Sequence, residues 1–143
     1  MIQKTTSTRS IKEKEIARSW HLVDVKDQTL GRAVTQIAKH LIGKSKVTYA
    51  PYLDQGDYVV VINAKNIEVS GKKELDKTYT YYSGYPGGQR KTTFSRMQST
   101  NPREIIRHAV TGMLPKNKFR DPRLARLYIF EASEHTYVNK FQK

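Results

Sequence analysis

The fold follows from one stretch of the chain, residues Asp57–Ala64, which read DYVVVINA. Apolar side chains occupy consecutive positions there, so both faces of an extended strand would be apolar. Runs of this kind are typical of strands in parallel sheets that are covered on both sides. We therefore predict a central strand at Asp57–Ala64 with helices packed on either side of the sheet.

The segments before this strand predict a strand and a helix. Residues Trp20–Val25 indicate a short strand that ends at the turn 24–27. Either Asp27 or Thr29 can cap the helix that follows, and Gly43 ends it. One face of this helix carries apolar residues at helical spacing, namely Leu30, Val34, Ile37, Ala38, Leu41 and Ile42.

The segments after the central strand continue the alternation. Asn101 and Pro102 supply a cap and a first-turn proline for a helix that continues to Gly112. The pair Met113-Leu114 that follows is predicted to pack against the sheet. Four further features are expected, in chain order: a short strand at Ile67–Ser70, a turn at 71–73, a short helix at 117–126 interrupted at Pro122, and a last strand at Leu127–Glu131. Strands alternating with helices predict an α/β fold with a largely parallel sheet.

Composition limits the classes of protein to consider. The 143 residues suffice for one domain, and Lys and Arg outnumber Asp and Glu by 26 to 13. This balance favours nucleic acid or an anionic membrane surface as the partner. The chain has no cysteine, which excludes disulfides, thiolate catalysis and cysteine-bound metal. Its apolar runs are far shorter than the roughly 20 residues of a membrane span, and residues 1–18 lack a signal-peptide core. We expect a soluble intracellular protein.

Positive charge is concentrated in residues 90–126. This segment has ten Lys and Arg against Glu104 and Asp121, a net +8 of the formal +13 of the whole chain. Like charges held on a folded scaffold repel one another unless a polyanion neutralises them. We predict one domain, 1–143, with an N-terminal extension at 1–19, a body with RNA-facing loops at 20–131 and a C-terminal tail at 132–143.

Tyrosines and cations alternate between Lys77 and Arg96, and this segment contains no acid. Its glycines at 84, 87 and 88, together with Pro86, predict a loop whose backbone a ligand can approach closely. Cations pair with phosphates and ring faces stack on unpaired bases, so we predict RNA contact at the tip, Ser83–Lys91. The alternative is a strand or hairpin whose tyrosines pack against the body, and Tyr79 and Tyr81 alternate with threonines as strand residues do.

Two further groups of cations are candidates. The run at 116–126 follows a helix, and its arginines suit bidentate phosphate contacts. A smaller patch follows Gly43, where the cations can equally well complement the helix dipole. Together with the 83–96 segment, these predict the following RNA-binding residues: Lys44, Lys46, Tyr49, Tyr82, Tyr85, Gln89, Arg90, Lys91, Arg96, Arg103, Arg107, Lys116, Asn117, Lys118, Arg120, Arg123 and Arg126.

The sequence offers no catalytic set. Gly43-Lys44-Ser45 resembles the end of a phosphate loop, but position 38 is Ala and the tripeptide follows a helix instead of opening one. The histidines are scattered, and Glu134-His135 lacks a third ligand. Asp54 and Asp57 flank Gly56, yet Asp57 is better explained as the start of the central strand. We expect no enzyme, no cofactor, no metal and no small-molecule substrate.

Three short motifs, in this order and spacing, carry a resemblance to a known family. They are Leu30-Gly31-Arg32, Gly56-Asp57-Tyr58 and Gly112–Asn117, which reads GMLPKN. Over about Trp20–Phe130 the chain resembles the bacterial form of the thirteenth protein of the large ribosomal subunit. It departs from the family at Phe119-Arg120-Asp121-Pro122, where Gly-Arg is usual, and at His135-Thr136-Tyr137, where His-Pro-His is usual.

The resemblance implies a three-layer α/β/α domain around a four-stranded, mostly parallel sheet. It also implies a structural protein of the cytoplasmic ribosome that binds 23S rRNA, contacts neighbouring large-subunit proteins and acts early in subunit assembly. A nucleotide-using α/β enzyme is disfavoured because no phosphate loop is present. A free DNA- or membrane-binding module is disfavoured because the cations lie in loops and at helix ends, which suits irregular folded RNA better.

Overall fold

The computed structural model describes residues 11–141, so the first ten positions of the predicted N-terminal extension and the last two of the tail lie outside it. The five strands are β1 (Trp20–Asp24), β2 (Tyr58–Ile62), β3 (Thr78–Tyr82), β4 (Gln89–Thr93) and β5 (Leu127–Ile129). The five α-helices are α1 (Leu30–Ile42), α2 (Lys73–Asp76), α3 (Phe94–Thr100), α4 (Pro102–Met113) and α5 (Arg120–Ala125). No helix within 11–141 is long and apolar enough to cross a membrane.

The main sheet is parallel and has the order β1-β2-β5, with β2 in the centre as predicted. The α/β prediction is therefore confirmed, but the described sheet has three strands instead of four. The predicted strand at Ile67–Ser70 forms a single parallel bridge, between Thr29 and Glu68. It extends no further because its partner segment turns into α1 at the next residue.

Helices α1 and α4 pack together on one face of this sheet and form the core. Their apolar stripes meet the inward side chains of the central strand, Val59 and Val61. The six residues that the periodicity predicted for the apolar face of α1 are buried, and Ala33, which was not among them, is buried as well. On α4 the buried apolar side chains include Ile105, Ile106 and Val110. Leu114 is also buried in the core, whereas Met113 is 45% exposed, so the predicted pair divides between core and surface.

The opposite face of the sheet is covered by aromatic rings. The Trp20 ring stacks on Tyr58 at 4.5 Å between centroids, and Tyr137 from the C-terminal segment lies 5.2 Å away. Tyr128 and Phe141 complete the cluster. Since Trp20, Tyr58 and Tyr128 sit in register on adjacent strands, they share this face with the buried Val60. Our expectation of helices on both faces is therefore corrected: in the described chain the C-terminal segment supplies the second cover.

The segment predicted as a loop is a hairpin followed by a helix, which agrees with the strand or hairpin alternative. Strands β3 and β4 pair antiparallel over five positions, and only the six residues 83–88 connect them. The Ser83 amide closes the turn by donating to the Gly88 carbonyl at 3.2 Å. The Thr-Tyr alternation of β3 is the pattern of a half-buried strand, because Tyr79 points into the core while Tyr82 points outward.

Glycine is required at two positions where the end of α1 meets the loop before β2. Gly43 ends α1 with φ +82°, and a side chain at Gly56 would lie 1.9 Å from the Leu41 carbonyl oxygen. The loop before β2 therefore packs directly on the end of α1. Further along, Pro122 does not interrupt α5, because it lies in the first turn, where its missing N–H needs no partner.

Candidate nucleic-acid interface

The first groove on the surface runs between the hairpin and the junction of α3 with α4. It encloses about 540 Å³. Three predicted residues, Arg90 and Lys91 on β4 and Arg96 on α3, line it together. We call this groove, with its other lining residues Tyr81, Thr92, Met97, Thr100, Asn101 and Glu104, the basic groove.

The cations of the basic groove are available to a ligand. Arg90, Lys91 and Arg96 are exposed, and none forms an ion pair with a carboxylate within residues 11–141. The single acid at the groove, Glu104, lies at its far end, where Arg107 Nε approaches it at 3.8 Å. The groove therefore presents excess positive charge beside the polarisable ring of Tyr81.

An adjoining groove extends this surface along α4. It encloses about 490 Å³ and shares Thr100, Asn101 and Glu104 with the basic groove. Arg103 and Arg107 line it, and Arg103 Nε lies 3.2 Å from Glu131. These two arginines are about half exposed, so part of their charge is balanced by carboxylates and part remains directed to solvent.

The turn of the hairpin presents the remaining predicted residues of this segment. Tyr82 and Tyr85 are 68% and 75% exposed, and Gln89 is exposed beside them. Neither ring stacks on another aromatic ring within residues 11–141. Tyr82 lies on the opposite face of β3 from Tyr81, so its ring is outside the basic groove. Exposed ring faces of this kind can stack on unpaired bases.

The run at 116–120 begins in the surface loop that follows α4 and ends at Arg120, the first residue of α5. Lys116 and Lys118 are exposed, and Asn117 accepts the Phe119 amide at 3.1 Å, which orders the loop. Arg120 is half-buried and donates to the Thr111 carbonyl at 3.0 Å. The two lysines are thus directed to solvent while Arg120 ties the loop to α4.

Arg123 and Arg126 are placed inside the protein. Arg123 is 2% exposed, and its Nε lies 3.2 Å from Asp54 Oδ1. Arg126 Nη2 donates to both oxygens of the same carboxylate, at 2.7 and 2.8 Å. Arg18 Nη1 lies 3.7 Å from Asp54 Oδ2 and donates to the Gly56 carbonyl at 3.2 Å. The charges of Arg123 and Arg126 are therefore engaged with a carboxylate of the fold.

Lys46 is likewise engaged with the fold. Its ammonium donates to the carbonyls of Ala17 at 2.7 Å and Gln55 at 2.9 Å, and to Asp57 Oδ1 at 2.5 Å. An ammonium has three donors, so none remains for a phosphate. Tyr49 packs half-buried against the core, whereas Lys44 is exposed.

Asp57 accepts hydrogen bonds from three donors in two segments, 19–21 and the loop after α1. Burial by itself raises the pKa of its carboxyl, but hydrogen bonds from Lys46, the Ser19 amide and His21 outweigh burial and lower the pKa below its ordinary value. His21 Nε2 lies 3.0 Å from Asp57 Oδ2, and the His21 ring stacks on His40 at 4.1 Å between centroids. Burial lowers the pKa of His40, and the neighbouring His21 lowers it further. The cluster therefore connects the starts of β1 and β2 to the end of α1.

Sequence reasoning missed both carboxylate clusters and part of the groove. Asp54 is 69 residues from Arg123 in the chain, so no local pattern links them. Thr100 and Asn101 line the basic groove, and their only signal in the sequence is the helix cap. Within residues 11–141, no group of three or more His, Asp or Glu side chains is arranged to hold a metal ion.

Comparisons with known proteins confirm the predicted resemblance. Residues 18–136 match the family model described as Ribosomal protein L13. The chain is 48% identical to the large ribosomal subunit protein uL13 of Clostridioides difficile strain 630, over 89% of each chain. It is 46% identical to the protein of that name from Petrotoga mobilis, over 88% of this chain and 83% of the relative. The relative from Staphylococcus aureus strain JH9 is 42% identical, over 88% of this chain and 87% of its own.

Proposed function

Since the chain belongs to the ribosomal protein L13 family, we propose that it is a structural constituent of the large subunit of the cytoplasmic ribosome. Its relatives are named as large-subunit ribosomal proteins, which supports a structural role and not an enzymatic one. The partners we propose are 23S rRNA and neighbouring large-subunit proteins. The single observation that carries the binding mode is the basic groove: Arg90, Lys91 and Arg96 line it, and none of the three forms an ion pair with a carboxylate of the described residues.

RNA binding in this groove follows from its chemistry. Guanidinium forks make bidentate contacts with phosphates, and Lys91 adds a mobile point charge. The exposed rings of Tyr82 and Tyr85 belong to the same hairpin as Arg90 and Lys91 and offer faces to unpaired bases. The surface we propose comprises Lys44, Tyr82, Tyr85, Gln89, Arg90, Lys91, Arg96, Arg103, Arg107, Lys116, Asn117 and Lys118. It omits Lys46, Tyr49, Arg120, Arg123 and Arg126, because these side chains contact the protein itself.

The mechanism is scaffolding. A preformed single domain, 1–143, lays the surface of its 20–131 body between rRNA helices, neutralises crowded phosphates and so favours one packing of the RNA over others. The extension at 1–19 and the tail at 132–143 flank this body. Because the body needs no RNA to form its core, it can bind early in subunit assembly.

The proposal is tested by removing the free cations of the basic groove. The triple change Arg90→Ala, Lys91→Ala and Arg96→Ala is compared with Lys26→Ala, Lys39→Ala and Lys140→Ala, which removes the same charge from exposed lysines that line neither groove. We expect the first variant to bind a 23S rRNA transcript at least tenfold more weakly than the control variant, with little loss of thermal stability, since exposed charges contribute little to folding.

Equal affinity of the two variants would show that the basic groove does not bind RNA. Sedimentation of a cell lysate at moderate salt then tests the assignment itself. Co-migration with large subunits supports it, and a peak among small free proteins contradicts it. ATP and GTP are expected to leave RNA binding unchanged, whereas saturable nucleotide binding would favour the enzyme alternative.

A further inference from the structure

A second groove lies between the start of α1 and the end of α4. Its volume is about 720 Å³, larger than the 540 Å³ of the basic groove and the 490 Å³ of the adjoining groove. Glu104 of the basic groove and Met113 of this one are nine residues apart on α4, which corresponds to about 13 Å along the helix. The two grooves are therefore separate surfaces. We call the second one the methionine groove.

The floor of the methionine groove is apolar. Leu30, Val69, Ala109 and Met113 line it. Met113 is the part of this floor most open to water, and its Sδ lies 3.9 Å from the Thr35 hydroxyl oxygen across the groove. A polarisable thioether on an apolar floor makes favourable contacts with a flat ring.

The rim of the groove is cationic. Arg32, Lys73 and Lys77 are exposed and line it, and no Asp or Glu of residues 11–141 does. The contacts of the two lysines are with neutral groups: Lys73 Nζ lies 3.4 Å from the Ser70 hydroxyl, and Lys77 Nζ lies 5.5 Å from the Tyr79 ring centroid. An apolar floor within three uncompensated cations complements a ligand with an apolar flat body and negative charge at its edge.

The groove also brings together two of the motifs that carry the family resemblance. Gly31 and Arg32 belong to the first motif and Met113 to the third, yet they are about 80 residues apart in the chain. Arg32 and Met113 are not part of the buried core, because both side chains are exposed. The basic groove does not account for them either, since neither residue lines it.

We propose that the methionine groove binds one unpaired nucleotide of large-subunit rRNA, a second RNA contact beyond the basic groove. The base lies on Met113 and Leu30, and the flanking phosphates lie at Arg32, Lys73 and Lys77. This inference rests on the proposed function, because it requires that the protein bind rRNA. A protein segment is the less complementary occupant, since it would have to combine an apolar side chain with acidic flanks.

The decisive variant fills the groove without disturbing the fold. A Cβ added at Gly31 meets no atom within 4 Å, and the same is true at Gly112, so the backbone leaves room for a side chain to begin at both helical positions. Only Gly31 lines the methionine groove. Gly31→Leu is therefore expected to weaken binding of the full chain to a 23S rRNA transcript about tenfold, the effect of losing one stacked base. Gly112→Leu is the matched control and should bind as the parent does.

The cations are tested through the salt dependence of the same binding. Every phosphate that the protein no longer neutralises makes the log–log slope shallower by roughly 0.7 to 0.9. Arg32→Gln, Lys73→Gln and Lys77→Gln together should reduce the slope by about 2, whereas the same change at Lys26, Lys39 and Lys140 should leave it unchanged.

Two results would overturn the inference and leave the proposed function standing. In the first, Gly31→Leu binds the transcript as tightly as Gly112→Leu while the Arg90, Lys91 and Arg96 variant is still impaired. In the second, Gly31→Leu binds naked transcript normally but fails to enter subunits reconstituted with the other ribosomal proteins, which would assign the groove to a protein neighbour. Absence of transcript binding by the parent chain would instead overturn the proposed function.

Discussion

At the scale of single residues, Asp54 shows that a run of cations in the sequence does not by itself identify the cations that are available to RNA. From the sequence, Arg123 and Arg126 belong to a basic run and are predicted to bind RNA. In the structure both guanidinium groups contact the Asp54 carboxylate in the protein interior. The sequence identifies cations, but it does not show which of them a distant carboxylate neutralises. Burial and pairing decide which charges remain for a partner.

Removing this carboxylate is expected to destabilise the fold. Asp54→Asn leaves two buried guanidinium groups without their counter-ion, which costs about 3–5 kcal/mol in the free energy of unfolding. Urea titration measures this loss of unfolding free energy. Glu104→Gln removes a carboxylate from an exposed pair with Arg107 and should cost no more than about 1 kcal/mol. Similar small losses of unfolding free energy for both variants would mean that the Asp54 cluster does not stabilise the protein interior.

His40 makes stability depend on pH. Its pKa is lowered in the folded protein because burial and the adjacent His21 disfavour the charged ring. The unfolded chain therefore takes up the proton more readily, so the contribution of His40 is complete above its ordinary pKa of 6.5 and is lost as pH falls below it. We expect the unfolding free energy of the parent to fall between pH 7 and pH 5, and His40→Phe to reduce this fall.

The pKa of Asp57 is lowered too, but it affects the free energy of unfolding in a different pH range. A lowered carboxyl pKa contributes stability above the ordinary value of 3.8 that is lost as pH falls through the folded value. Unfolding measured at several pH values separates the two groups. An identical loss between pH 7 and pH 5 in parent and His40→Phe would assign that loss to another residue.

At the scale of elements, periodicity predicted the core and missed the hairpin. Helices α1 and α4 and strands β1 and β2 agree with their predicted ranges within a few residues, because each carries an apolar stripe or run. Strand β4 reads QRKTT and has no apolar alternation, so its own sequence indicates no strand. It is a strand because β3 pairs with it at five positions. Pairing between segments is information that a local pattern lacks.

Hydrogen exchange on the free protein tests the hairpin. The paired backbone amides of β3 and β4 should be protected without RNA, because the ladder is already formed. Residues 84–87 of the turn should exchange rapidly. Fast exchange throughout 78–93 that slows only on adding rRNA would support the mobile loop that the glycines alone predict.

The boundary between α4 and the following loop is defined by two residues with opposite roles. Leu114→Ala removes a side chain that is 2% exposed in the core and should cost about 2–5 kcal/mol. Met113→Ala alters a surface side chain and should change stability by no more than about 0.5 kcal/mol. Thermal or urea unfolding of both variants measures the difference. Equal costs would place Met113 in the core, and the methionine groove would then be filled.

At the scale of the whole molecule, charge determines how binding responds to salt. The formal net charge is +13, and the free cations are concentrated on the hairpin, the α3–α4 junction and the 116–118 loop. If RNA binding releases six to ten counter-ions, the logarithm of the affinity should fall against the logarithm of salt with a slope of roughly −4 to −9. Binding measured across a salt series gives this slope, and a value near zero would show that RNA does not engage the charge.

Family membership was predictable from the sequence because three short motifs occur in the right order. The arrangement of the surface was not, because it depends on which loops the fold brings together. Arg90 and Thr100 share a groove only after β4 turns back on β3 and α3 follows it directly.

The aromatic cover of the sheet gives the molecule a natural optical reporter. Trp20 is the only indole in the chain, and it stacks between Tyr58 and the rings of the C-terminal segment. Its ultraviolet emission therefore comes from one known place, and light absorbed by the adjacent tyrosines is passed on to it. The wavelength and intensity of that emission report whether Tyr137 and Phe141 remain packed against the Trp20 ring. Because the indole lies on the sheet face opposite α4, and α4 lines both of the grooves that we propose to bind RNA, a fluorimeter can follow one side of the protein while a ligand is added to the other.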